Sequence, residues 1–132
     1  MPGELRLVVV TPERTLLDEP VNALRFPLFD GQIGILPSRA PLVGRLGYGE
    51  LKVELVGGQS RSYFIDGGFV QVKGPVVSIL TNAAIPAEEL SRAQAQAELD
   101  AAMKLPAHTD LEFAAKERAQ ERARRKRDLA RQ

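Results

Sequence analysis

The 132-residue chain has no cysteine, no tryptophan and one histidine. Without Cys there are no disulfides, thiolate metal sites, iron–sulfur clusters or cysteine nucleophile. The compartment stays open, because a thiol-free chain tolerates any redox state. A single His excludes a multi-His metal centre. No run approaches the ~18–20 apolar residues of a membrane span, and no basic-then-apolar leader opens the chain. The mature protein is therefore expected to be soluble and to start near Met1. Charge of one sign is also missing: 18 basic against 17 acidic residues give a net +1. That balance argues against a whole-molecule grip on nucleic acid or an anionic membrane. The length fits one domain, or one domain with an appendage.

What is present is divided unevenly. All 11 glycines lie in residues 1–84, as do the valines, while 12 of the 16 alanines lie in residues 85–132. Val is stiff at its branched Cβ and suits strands, Gly marks turns, and Ala is the best helix former. The chain reads as a β module over 1–84 and an α module over 85–132, hence α+β. The strands expected are Leu5–Thr11, Arg14–Asp18, Val21–Phe29, Gln32–Leu36, Glu50–Val56, Ser60–Asp66, Phe69–Lys73 and Val76–Thr81. Asp30-Gly31, Gly57-Gly58, Gly67-Gly68 and Gly74-Pro75 read as the turns between them, and no strand is assigned between Leu36 and Glu50. Leu51, Val53 and Leu55 alternate with Lys52 and Glu54, the period of a half-buried strand. Many short strands at this spacing suggest a sandwich or barrel.

The α module reads as two helices. Pro86 suits a helix start, with Glu88 and Glu89 near the positive end of the dipole. Leu90, Ala93, Ala97 and Ala101 fall at helical spacing, and Leu105-Pro106 stops the helix. Thr109 with Glu112 forms a capping-box pattern that opens a second helix running to about Arg131. Leu111, Ala115, Ala119 and Ala123 recur along it. The short connection makes the two helices antiparallel neighbours. Large apolar residues are few here, so the hairpin should be weakly held on its own.

Catalytic constellations are scarce. Neither G-x-x-x-x-G-K-[ST] nor G-x-G-x-x-G occurs. His108 falls in the inter-helix turn, where a solvated histidine is the ordinary reading. Asp66 reads as a turn acid. Charge gathers only at the end, where residues 116–132 carry eight basic against three acidic side chains, a net of +5. One reading is a solvated helix face with i,i+4 pairs such as Glu121–Arg125. The other is an acidic partner surface. Nucleic acid fits less well, because no aromatic lies beyond Phe113 to stack a base.

Three stretches together resemble the epsilon subunit of F-type ATP synthase. The first is Gly31-Gln32-Ile33-Gly34-Ile35-Leu36-Pro37-Ser38-Arg39-Ala40-Pro41-Leu42, similar to that family's G-x-x-G-x-x-P-x-H-A-P-L signature. The second is Ile65-Asp66-Gly67-Gly68-Phe69-Val70-Gln71-Val72 followed by Val76–Ala84. The third is the opening Leu7-Val8-Val9-Val10-Thr11-Pro12-Glu13. Their order, their spacing and the helical tail agree with the family over nearly the whole chain.

The resemblance implies an N-terminal antiparallel β-sandwich followed by a C-terminal antiparallel α-helical hairpin, with no active site. It implies a central-stalk rotor subunit of a proton-translocating enzyme that couples rotation of the membrane ring to the catalytic head. The hairpin would inhibit ATP hydrolysis. The implied partners are the gamma stalk subunit, the membrane rotor ring and, through the last helix, the catalytic beta subunits, with no nucleic acid. Carried over by position, Asp30, Gly31, Gln32 and Arg39 fall in the ring- or stalk-facing loops, where Arg39 replaces the usual His with a permanent cation. Arg118, Arg122, Arg125 and Lys126 are the candidates to face the beta subunits. Some family members bind a regulatory ATP through [I/L]-D-x-x-R-A. Here Arg92-Ala93 match its end, but Glu88 and Glu89 replace the apolar residue and Asp, adding a negative charge near a polyanion. No resident cofactor is expected. Arg92, Arg122 and Lys126 would be the phosphate-side groups if ATP bound. The implied location is peripheral, on the cytoplasmic face of the bacterial plasma membrane, or on the thylakoid if the chain is plastid-encoded. The competing readings are a β-sandwich module whose basic helix contacts RNA, and a free-standing regulator of a hydrolase.

Overall fold

The computed structural model describes residues 5–31, 33–36 and 41–130. The chain forms two compact units, Met1–Pro86 and Ala87–Gln132. The break falls two residues past the composition boundary because Ala84–Pro86 still pair with a strand, Ala84 opposite Ile65 and Pro86 opposite Tyr63.

The first unit holds seven strands: β1 Leu5–Val10, β2 Thr15–Pro27, β3 Ile33–Leu36, β4 Leu42–Leu55, β5 Ser60–Lys73, β6 Val76–Leu80 and β7 Ala84–Pro86. The long strands β2, β4 and β5 each serve more than one neighbour. The Phe69–Lys73 half of β5 pairs with β6, its Tyr63–Ile65 part pairs with β7, and β4 runs beside nearly its whole length. β2 pairs with β1, β3 and β4 in turn. The order β1-β6-β5-β4-β2 closes because β1 also pairs with β2. All pairings are antiparallel except β1 with β6, which is parallel. This is the sandwich that the sequence pattern implies.

Alternation fills its core. Leu5, Leu7 and Val9 of β1 point inward, as do Val21, Leu24 and Phe26 of β2 and Leu51, Val53 and Leu55 of β4. Val70 and Val72 of β5 meet Val77 and Ile79 of β6. Each buried aliphatic side chain contributes ~1.5–3 kcal/mol.

Three local expectations change. Gly67-Gly68 is not a turn but lies inside a continuous β5, with φ of +70° and +115°, so Asp66 is a strand residue. The expected strands Arg14–Asp18 and Val21–Phe29 merge, over Thr15–Pro27, into a single β2 that runs through Pro20. β4 begins at Leu42 and carries Gly44, Gly47 and Gly49 within the strand. These glycines hide the strand from a sequence reading because local propensity counts them as breakers.

The second unit opens with a single 3-10 turn, Ala87–Glu89, followed by α1 Arg92–Met103 and α2 Asp110–Leu129. Pro86 therefore ends a strand and does not start a helix. The N-cap of α1 is Ser91, whose Oγ accepts from the Gln94 amide at 3.2 Å. Thr109 caps α2, its Oγ1 accepting from the Glu112 amide at 3.1 Å. The Glu112 carboxylate accepts in return from the His108 amide at 3.1 Å, one residue earlier than in a standard capping box. The buried face of α1 is Ala95, Leu99 and Ala102, at i, i+4 and i+7, whereas Ala93, Ala97 and Ala101 are exposed. On α2 only Ala123 of the expected stripe is buried, and Leu111 is 83% exposed. The helices run antiparallel, with Arg92 bonded to the Ala130 carbonyl and Arg127 to Gln96. At that register the end of α1 lies level with about residue 119. The first turns of α2 thus extend past it by roughly 14 Å at ~1.5 Å per residue.

Candidate partner-docking surfaces

Strand period decides which side chains face outward. In β4, Leu46 points into the core, so Val43 and Arg45 point out. In β5 and β6, Val70 and Ile79 point in, so Phe69 and Leu80 point out. Register then joins them: Arg45 lies opposite Phe69, and Phe69 opposite Leu80. Phe29, just beyond β2, is held beside them by its amide donating to the Arg45 carbonyl at 2.8 Å. The Arg45 guanidinium sits 4.1 Å from the centroid of the Phe29 ring, a cation–π contact. Exposures of 57% at Phe29, 76% at Val43, 58% at Phe69 and 52% at Leu80 mark an apolar strip with one cation in it. A shallow cavity of about 440 Å³ adjoins it, lined by Val10, Thr11, Pro12 and Asn82 together with Arg45 and Phe69. Clustered outward apolar residues of this kind mark interaction sites, whereas scattered ones do not.

Two of the loop residues singled out from sequence lie at one end of this strip. Asp30 and Gly31 form the exposed turn between β2 and β3, directly after Phe29. The Gly31 amide donates to the Leu28 carbonyl at 3.0 Å, and Gly31 has φ +88°, which favours glycine. Gln32 and Arg39 lie outside the described residues.

The helical candidates divide into two kinds. Arg118 and Arg125 are exposed on one flank of α2. Arg122 and Lys126 instead meet α1. The Lys126 ammonium donates to both oxygens of the Glu98 carboxylate at 3.0 Å, and Arg122 Nη1 stands 3.5 Å from the same group. Arg92, the third nucleotide-side candidate, donates to the Ala130 carbonyl at 3.3 Å. The hairpin therefore brings Arg92, Arg122 and Lys126 onto one helix pair, with a carboxylate already between two of them.

Sequence reasoning missed Phe29, Val43, Arg45, Phe69, Leu80 and Glu98. For Phe69 and Leu80 a signal existed: each is adjacent in sequence to a core residue and so takes the opposite face. For Glu98 none existed, because its partner Lys126 is 28 positions away.

Among the described residues no group of three or more His, Asp or Glu is placed to hold a metal ion. No described helix is long and apolar enough to cross a membrane. The clustered outward apolar side chains of the sandwich are the feature of a subunit that docks on a partner.

Comparison with known proteins agrees. Residues 4–87 match the family model described as ATP synthase, Delta/Epsilon chain, beta-sandwich domain. The chain is 46% identical over 120 residues to an ATP synthase epsilon chain of Rhodopirellula baltica, covering 91% of this chain and 93% of that one. It is 42% identical over 100 residues to an ATP synthase epsilon chain of Solibacter usitatus, covering 76% and 74%. Among solved structures, one chain of the Euglena gracilis mitochondrial ATP synthase, in a structure of its OSCP/F1/c-ring, superposes with a TM-score of 0.82. That chain is 27% identical, and the match covers 94% of this chain and 79% of the other. The chain belongs to the ATP synthase delta/epsilon family. It is an epsilon-type subunit of ATP synthase, and it is not itself catalytic.

Proposed function

We infer that this subunit is a rotor component of a proton-translocating F-type ATP synthase. The sandwich couples the membrane ring to the catalytic head, and the hairpin restrains ATP hydrolysis. The observation that carries the docking half is the apolar strip Phe29–Arg45–Phe69–Leu80 on an otherwise charge-balanced module. The gamma stalk subunit is the proposed occupant, with the adjoining Asp30-Gly31 turn and the Gln32 and Arg39 loop positions toward the rotor ring. Covering the exposed part of each large side chain supplies ~1 kcal/mol or more. The location that follows is the cytoplasmic face of the bacterial plasma membrane, or the thylakoid for a plastid-encoded chain.

The inhibitory half rests on the basic side of α2, with Arg118, Arg122, Arg125 and Lys126 facing acidic loops of the catalytic beta subunits. The RNA reading loses ground. The exposed arginines of α2 are interleaved with exposed Glu117, Glu121 and Asp128, and the outward aromatics of the sandwich sit in an apolar strip.

Reconstitution tests both halves. Removing residues 87–132 leaves β7 intact, so the shortened chain is expected to keep its place on the stalk and to raise ATP hydrolysis by the assembled enzyme. Unchanged hydrolysis would remove the inhibitory reading. Loss of assembly would place the docking surface in the hairpin.

A further inference from the structure

The hairpin has little apolar packing of its own. Leu99 is the one large apolar side chain buried on either helix, the other buried positions of α1 and α2 being alanines. Its polar links are correspondingly specific. Glu98 receives Lys126 through both carboxylate oxygens, and Arg122 through one, from positions a single turn apart on α2. The Lys126 side chain is only 12% exposed and Glu98 32%, so this pair is shielded from water to a degree that the sandwich ion pairs are not. A charge-assisted, two-oxygen contact in such a place is worth more than an ordinary surface pair. Gln96, just before Glu98 in the same helix, receives Arg127 at 3.1 Å and donates to Asp100 at 3.0 Å, continuing the clasp along α1.

We propose that Glu98 is an internal latch: its carboxylate holds the hairpin closed by occupying Lys126 and Arg122, the same two cations that an acidic partner surface would need. Opening the hairpin and engaging the partner are then one exchange of carboxylates. Glu98 leaves, and an acidic side chain of the partner takes its place. The device sets a threshold. A partner that presents no carboxylate placed to reach both Lys126 and Arg122 cannot replace both contacts and leaves the hairpin shut. The functional consequence rests on the inhibitory reading above, whereas the latch itself does not.

The test uses the full-length chain in three forms: wild type, Glu98→Gln, and the exchange variant Glu98→Lys with Lys126→Glu. In the exchange variant the carboxylate introduced at position 126 can accept both from the ammonium introduced at position 98 and from Arg122, so the clasp is rebuilt with reversed polarity. Amide hydrogen exchange across α2 reads hairpin opening directly. Glu98→Gln is expected to speed exchange over residues 119–129 about tenfold, and the exchange variant to return it to within about threefold of wild type. Unchanged exchange in Glu98→Gln overturns the latch. So does an exchange variant as fast as Glu98→Gln, because that result assigns the effect to lost packing and not to charge. ATP hydrolysis by enzyme reassembled with Glu98→Gln reads the inhibitory function separately. It is expected to fall below the wild-type level. Accelerated exchange with unaltered hydrolysis would leave the latch standing and remove the inhibitory reading instead.

Discussion

Gly68 of β5 lies directly against the backbone at the end of β6: a Cβ built on it would collide with the Leu80 carbonyl oxygen and stand 2.8 Å from the Thr81 Cα. The same residue has φ +115°, a region that L side chains rarely adopt. Strain and collision act together, and the obstructing atoms are backbone, which cannot rotate away. Gly68→Ala is therefore expected to destabilise the sandwich by roughly 3 kcal/mol. Both tyrosines, Tyr48 and Tyr63, lie in the first unit, and the chain has no Trp, so tyrosine fluorescence follows that unit alone. A fall in the urea midpoint on the order of 1–2 M checks this. A midpoint within error of wild type would mean that β6 moves aside freely.

Gly34 supplies a second close approach, this time to a side chain. It lies opposite Phe26 across β2 and β3, and a Cβ there would enter the edge of the fully buried Phe26 ring. Gly34→Ala should cost about 1–3 kcal/mol through overpacking. Phe26→Leu removes the obstruction while opening a small cavity of its own. The double variant is expected to be at least ~1 kcal/mol more stable than the sum of the two single losses predicts. Simple additivity, measured by the same fluorescence unfolding, would show that the ring is not what excludes a side chain at residue 34.

These two glycines show what is legible in the sequence. The alternation of Leu51, Val53 and Leu55 is visible because burial on one face requires it, and the structure buries all three. Gly67-Gly68 reads as a turn by local chemistry, yet its real constraint is the β6 backbone beside it, which no local rule contains. Helical spacing alone picks the wrong face of α1, because alanines at 93, 95, 97, 101 and 102 fit two stripes equally well. Leu99 breaks the tie, and the side holding it, with Ala95 and Ala102, is the buried one. The signature around Gly31–Leu42 points to the family. It does not disclose Phe29 or Arg45 just outside it, whose importance comes from their stacking.

Capping at Thr109 should matter more than it does for an embedded helix. The first turns of α2 extend past α1, and Leu111 and Phe113 there are exposed, so little tertiary packing supports them. Thr109 Oγ1 satisfies the Glu112 amide, and the Thr109 carbonyl accepts from Phe113 at 2.9 Å. Thr109→Ala is expected to cost this end of the helix ~1 kcal/mol, whereas Thr109→Ser should be nearly neutral. Hydrogen exchange at residues 111–113 should accelerate about fivefold in the Ala variant, with residues 122–126 unaffected. Equal acceleration along the whole helix would show instead that α2 opens as one unit.

Regulatory ATP can be judged from the groups that would hold its phosphates. Arg122 and Lys126 already share the Glu98 carboxylate, and Arg92 is bonded to the Ala130 carbonyl. A triphosphate entering here must displace Glu98 and then sit near a carboxylate that has lost its partners, so like-charge repulsion acts just where attraction is needed. Glu88 and Glu89, both exposed, add negative charge in the segment leading into α1. Calorimetric titration of the full chain with ATP is expected to show no saturable heat below ~1 mM, an affinity weaker than about −4 kcal/mol. Glu98→Gln removes the competing carboxylate and should bind ATP more tightly than wild type. Micromolar binding by the wild-type chain would contradict this charge argument and would make the Arg92, Arg122 and Lys126 cluster a nucleotide site.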